Sequence, residues 1–166
     1  MAENQYKEIQ RMRMWWVYVI CILITGGAVW AFVSQIIFNN DFGSNPGPDW
    51  VIYATLALAI FLDWLIFSAR LMLLVDSNGV SFRYYPFTSK KFAWSEIKTA
   101  VVEKYDPIKD YSGWGLRYNW NNKGKAYTIS GNLGLSLTLK NDKKVLIGTA
   151  RAEELQRFIE SNNFLS

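Results

Sequence analysis

Residues Trp15 to Phe38 read WWVYVICILITGGAVWAFVSQIIF, 24 positions without a charge. At about 1.5 Å of rise per residue a helix of this length crosses a hydrocarbon core of roughly 30 Å with some tilt. A second apolar run, Val51 to Ser68, carries one acid, Asp63. Its length is near the lower limit for a span, and Arg70 extends its reach by snorkelling toward headgroups. The stretch between them, NNDFGSNPGPDW, is polar, and Pro46 and Pro48 each stop a helix there. Trp15, Trp16, Trp50 and Tyr53 fall near the ends of the runs, where aromatic rings favour the membrane–water interface. Residues 15–69 are therefore expected to form a transmembrane helical hairpin.

Charge placement orients it. Lys7, Arg11 and Arg13 precede the first run, Asp41 and Asp49 lie between the runs, and Arg70, Arg83, Lys90 and Lys91 follow. Positive-inside bias puts both termini in the cytoplasm and the short loop outside. A cleaved signal peptide is the competing reading. Its apolar region would be about 7–15 residues followed by an A-x-A-like site. This run is longer and no such site follows, so an uncleaved anchor is expected.

Polarity changes at Arg70. Residues 70–166 hold 15 Lys/Arg and 9 Asp/Glu, and period-two alternation takes over. Val80, Phe82 and Tyr84 alternate with Ser81, Arg83 and Tyr85, and Leu135, Leu137 and Leu139 with Ser136, Thr138 and Lys140. Turn signals stand at Asp76–Gly79, Asn121–Gly124 and Lys140–Lys143. Seven strands follow, near 70–76, 79–86, 97–105, 115–120, 125–130, 134–140 and 143–148. Ala152, Leu155, Phe158 and Ile159 then share one face of a helix from about 150 to 161, with Thr149 as its expected cap and Glu153 and Glu154 in its first turn. The expected fold is membrane α + β: a cytoplasmic segment (1–14), a two-helix hairpin (15–69), and a seven-stranded antiparallel barrel capped by a C-terminal helix (70–166).

Four stretches carry a resemblance: YYPFTSKKFAWSEI at 84–97, YDPIKDYSGWGLRY at 105–118, AYTISGNLGLSLTLK at 126–140 and KVLIGTARAEEL at 144–155. With two spans ahead of them, they resemble a group of bacterial two-span membrane proteins, of unassigned activity, with a cytoplasmic pleckstrin-homology-like (bPH) domain. These share the Gly-Trp-Gly, Ser-Gly-Asn and Ile-Gly-Thr stretches. Such proteins usually open the terminal helix with proline, where this chain has Ala152, itself a good helix former. The resemblance implies a fold, a topology and a bacterial inner-membrane address, and assigns no activity to particular residues. Pleckstrin-homology-like domains are best known for reading phosphoinositides through a basic first hairpin loop. Here that loop, Asp76–Gly79, has an acid and no base.

The chain has no histidine and one cysteine, Cys21. That removes Ser-His-Asp and Cys-His catalysis, histidine metal sites and an intrachain disulfide. No paired constellation of the remaining groups stands at useful spacing, so the chain is read as a non-enzyme with no cofactor and no metal.

Four residues are the candidate interaction surface. Tyr111, Trp114 and Arg117 flank the glycines Gly113 and Gly115, and Asn132 lies in Ser130–Gly134. Aromatic and arginine side chains beside flexible glycines suit a recognition loop. Equally, those glycines serve a strand entrance with Trp114 packed over it, and Ser130–Gly134 serves as a turn. Asp106–Asp110 reads as an exposed loop. Asp63 is either a functional intramembrane acid or an interfacial partner of Arg11, Arg13 or Arg70. Gly26, Gly27, Ala31, Ala54, Ala57 and Ala59 permit close helix approach, within the hairpin or in a homo-oligomer. The bases after residue 70 are scattered, which suits an anionic leaflet rather than nucleic acid. The expected partners are the lipid bilayer and a membrane protein or a second copy. The function expected is that of a membrane-anchored interaction module, the alternative an accessory subunit of a larger membrane complex.

Overall fold

The computed structural model describes residues 5–12, 14–40, 43, 47–119, 124–162 and 164. Arg13, Asp41, Pro46, Trp120 and most of the Asn121–Gly124 turn lie outside these. The chain divides into two compact units, one within residues 13–68 and the other combining residues of 1–12 and 69–166.

The first unit is a helical hairpin. Helix α1 (Trp15–Phe32) runs on through a π-helical turn, Val33–Ile37, and α2 spans Asp49–Ser68. Both are long and apolar enough to cross a membrane, and only 17% and 6% of their most apolar stretches are buried. The helices meet along Cys21, Ala28 and Ala31 of α1 and Ala59 of α2, which are buried. Tyr18 stacks on Phe67 at 5.2 Å and Phe32 meets Tyr53 edge-on at 5.6 Å. Of the small residues expected at this seam, Ala31 and Ala59 are there. Gly26, Gly27, Ala54 and Ala57 are exposed instead. The α1 seam follows the three-to-four spacing of 21, 25, 28 and 31–32, and the adjacent glycines fall off that stripe.

Among the described residues the second unit has nine strands rather than seven. One sheet has the order β1-β2-β3-β4: β1 (Gln5–Arg11), β2 (Arg70–Asp76), β3 (Gly79–Tyr85) and β4 (Thr88–Ala93). The other has the order β5-β8-β9-β7-β6: β5 (Ile97–Lys104), β6 (Gly115–Asn119), β7 (Gly124–Thr128), β8 (Leu133–Leu139) and β9 (Lys144–Gly148). All seven expected strands are present near their expected bounds. The single seven-stranded antiparallel barrel expected is not: the strands make two separate sheets, and β7 and β9 pair in parallel.

The two additions had weak sequence signals for physical reasons. In β1 the buried positions are Tyr6, Glu8 and Gln10, while its one aliphatic residue, Ile9, points outward at 52% exposure. The usual apolar-inside alternation is inverted. Strand β4 (TSKKFA) is an exposed edge with two lysines, a composition that guards edges but lowers strand propensity. The segment 1–14, expected to stand apart from the domain, thus supplies its first strand.

One core lies between the sheets. Leu71, Leu73, Val75, Val80, Phe82 and Tyr84 meet Tyr127, Ile129, Leu135, Leu137 and Ile147, with the Phe82 and Tyr127 rings 4.3 Å apart. Helix α4 (Ala152–Asn162) adds fully buried Leu155, with Phe158 and Ile159 packed beside it. Its first turn carries Glu153 and Glu154 as expected. Thr149 is engaged otherwise: its Oγ1 accepts from the Arg151 N–H two residues on and donates to Glu8.

Candidate interaction surface

Three of the four candidate residues, Trp114, Arg117 and Asn132, gather at the turn before β8. The segment after β5 is a short helix, α3 (Pro107–Tyr111), not the exposed loop expected. Asp106 caps it by accepting from the Ile108 and Lys109 N–H groups, both at 3.0 Å, and Pro107 at its start is buried. Ser112, Gly113 and Gly115 then take positive φ, which swings the chain around into β6. On that bend Trp114 donates its indole N–H to the Gly131 carbonyl at 2.8 Å, and the Tyr105 hydroxyl donates to the same oxygen at 3.3 Å. The Asn132 carbonyl accepts from the Tyr105 N–H at 2.9 Å. Arg117 returns its Nε–H to the Trp114 carbonyl at 3.2 Å.

Trp114, Arg117 and Asn132 therefore share one partly exposed surface, with Asn132 and Arg117 outermost. Tyr111 does not belong to it. It is buried with Tyr105, Ala126 and Leu146, its ring edge-on to Tyr105 at 6.1 Å. Burial, reinforced by Asp110, Glu103 and Tyr105, pushes its phenol up to about 12. It supports the surface from beneath. Of the stretch expected as a turn, residues 130–132 form the bend, with Gly131 at φ 78°, and Leu133 and Gly134 already belong to β8.

Asp63 is held inside its own hairpin. Its Oδ2 accepts from the Thr25 hydroxyl at 2.7 Å. Thr25 is ten residues into α1, about 15 Å along its axis, so this hydrogen bond lies near the middle of the first run. Asp63 itself stands five residues before Ser68, the last residue of α2, and bonds Thr25 from there.

One cluster was not foreseen. The Glu8 carboxylate, 4% exposed, accepts from the Tyr6 hydroxyl and the Thr149 hydroxyl, each at 2.6 Å, and from the Ala150 N–H at 2.7 Å. Beside it Gln10 donates to the Gly148 carbonyl at 2.7 Å, and the Arg151 guanidinium lies over the Tyr6 ring at 5.0 Å. Burial and then Glu8 raise the Tyr6 phenol well above its ordinary value. These contacts join the first strand to the start of α4, across 141 residues of chain. The alternation of polar residues at 6, 8 and 10 was the available signal.

Among the described residues no three His, Cys, Asp or Glu side chains are grouped to hold a metal ion. No protein-family model matches the chain, and no curated protein matches it.

Proposed function

We propose that the chain is a membrane-anchored interaction module: a two-span hairpin holding a pleckstrin-homology-like domain at the cytoplasmic face of a bacterial inner membrane, where the domain binds a protein partner or lipid headgroups. The observation that carries this reading is the pairing of Arg11 with Arg70 in β1 and β2. The helices are an insertion between two adjacent strands, so the chain leaves the domain and returns to it at one place. A membrane-crossing insertion with that property crosses an even number of times, which supports two spans with the domain on one side. Net positive charge around both junctions argues for the cytoplasmic side. The order of a four-stranded sheet, a second sheet and a terminal helix on the core supports the pleckstrin-homology-like reading. Tethering amplifies a weak affinity through effective concentration.

Reporter fusions to the C-terminus test the address: a fluorescent protein folds and glows there, and alkaline phosphatase stays inactive. The reverse pattern overturns the orientation. Co-purification in mild detergent with mass spectrometry tests the binding role, and recovery of the protein with nothing enriched counts against it. A second reading, an accessory subunit recognised through its spans, draws on the Asp63–Thr25 pair in mid-hairpin. Exchanging both spans for unrelated ones separates the two, since only the second reading loses function.

A further inference from the structure

The outward face of the β1-β2-β3-β4 sheet lies apart from the surface described above. Its register sets Arg11, Arg70 and Tyr85 in one row across three strands. Ile9, Met72, Arg83 and Ser89 form the next, and Lys7, Leu74, Ser81 and Lys91 the third. Rows two residues apart along a strand are about 7 Å apart. Tyr6, Glu8, Leu71, Leu73, Phe82 and Tyr84 take the inward positions and are buried, and the five cations are all exposed.

Among the described residues none of the five pairs with a carboxylate, whereas Lys98, Arg151 and Arg157 each do. The nearest acid on this face, Asp76, lies a row further on and accepts from the Asn78 and Gly79 N–H groups. The face is hollowed by a concavity of about 510 Å³, with Lys7, Arg83 and Lys91 around Met72 and Leu74 and no carboxylate in its lining. The Arg70 guanidinium lies 4.8 Å from the centre of the Tyr85 ring. Such stacking steadies the planar fork and leaves its N–H edge open to an acceptor.

Chain geometry selects the anion. Arg11 precedes the first residue of α1 by four positions, and Arg70 follows the last residue of α2 by two. Fully extended, these tethers reach only about 14 Å and 7 Å. We propose that this face binds the phosphates of anionic phospholipids in the bilayer that the two helices enter, with Arg11 and Arg70, the cations closest to the helices along the chain, joined by Arg83, Lys7 and Lys91. The proposal rests on the membrane-anchored reading and deepens it by naming the ligand and the face.

The test uses the full chain with Cys21→Ala and a fluorophore on Ser89→Cys, incorporated in nanodiscs containing a nitroxide-headgroup lipid as quencher. Phosphatidylglycerol nanodiscs should quench the fluorophore more than pure phosphatidylcholine ones, and high salt should relieve the difference. Arg11→Gln/Arg70→Gln/Arg83→Gln should lower the docked-to-undocked ratio roughly a hundred-fold, at about five-fold per base. The matching triple Lys variant should retain docking, which separates lost charge from lost folding. Equal quenching in the two lipids overturns the proposal. So does an equal loss from Lys98→Gln/Lys125→Gln/Lys144→Gln on the other sheet, which would make net charge the cause. Displacement by soluble glycerol phosphate, or by polyglutamate, would assign the face to a soluble phosphate or an acidic protein instead and overturn the lipid assignment. Failure of the chain to enter nanodiscs at all overturns the membrane reading itself.

Discussion

Glu8 shows how a single side chain ties this fold together. Its carboxylate satisfies three donors in a buried site, and among the described residues no cation bonds to it. Glu8→Ala leaves those donors unpaired and should destabilise the protein by on the order of 3 kcal/mol. Glu8→Gln keeps one acceptor and should cost about half as much, read as thermal unfolding in detergent. Tyr111 makes a pH-dependent contribution. Its folded phenol titrates near 12 against an ordinary 10.0, so the fold prefers the protonated form. Its stabilisation is complete below pH 10 and is lost as pH rises toward 12, at about 1.4 kcal/mol per pH unit. Tyr111→Phe should flatten the alkaline stability curve by one proton, measured by denaturant unfolding from pH 9 to 11. Tyr111 was legible as an aromatic beside a glycine bend, but its burial was not. Which aromatics near Gly113 face inward depends on the short helix α3.

At the scale of the element, the β2–β3 hairpin was plain in the sequence. Asp76-Ser77-Asn78-Gly79 is a turn signature, and the Asp76 carboxylate bonds the two N–H groups that close it. Gly79 has a second reason to be glycine. It sits at φ 149°, and a Cβ there would lie 2.0 Å from the Phe92 carbonyl oxygen of β4. Gly79→Ala should therefore cost more than about 2 kcal/mol and loosen β3 from β4, seen as faster amide exchange in β4. Strands β1 and β4 escaped the alternation argument because neither buries an aliphatic row. A strand whose inner face is Tyr, Glu and Gln is recognisable only when its partners are known.

For the whole molecule, the consequential finding is that the domain is interrupted in sequence by the two long apolar helices. Arg11 and Arg70 are paired neighbours across β1 and β2, so the connection between them can be short. Replacing residues 12–69 by a two- to four-residue Gly-containing turn should give a soluble, folded domain with a cooperative thermal transition. A chain beginning at Arg70 lacks β1 and the Glu8 contacts, and should be less stable by several kcal/mol or aggregate through the uncovered edge of β2. Circular dichroism and size-exclusion chromatography of the two products distinguish these outcomes. Equal behaviour would show that β1 contributes nothing to the fold.

The sequence by itself determined the local features. Charge-free length specified the two long helices, period-two alternation specified seven strands, and turn residues marked where most of them end. These follow from neighbours within a few positions, where backbone geometry and solvent exposure act directly. Only the tertiary structure decided that the strands form two sheets and that residues 5–11 belong to the first of them. The same holds for Asp63 meeting Thr25, and for five scattered bases forming one face. Each of those depends on pairing between segments 38 to 141 residues apart or on strand register, which side chains satisfy jointly and no single stretch of chain encodes.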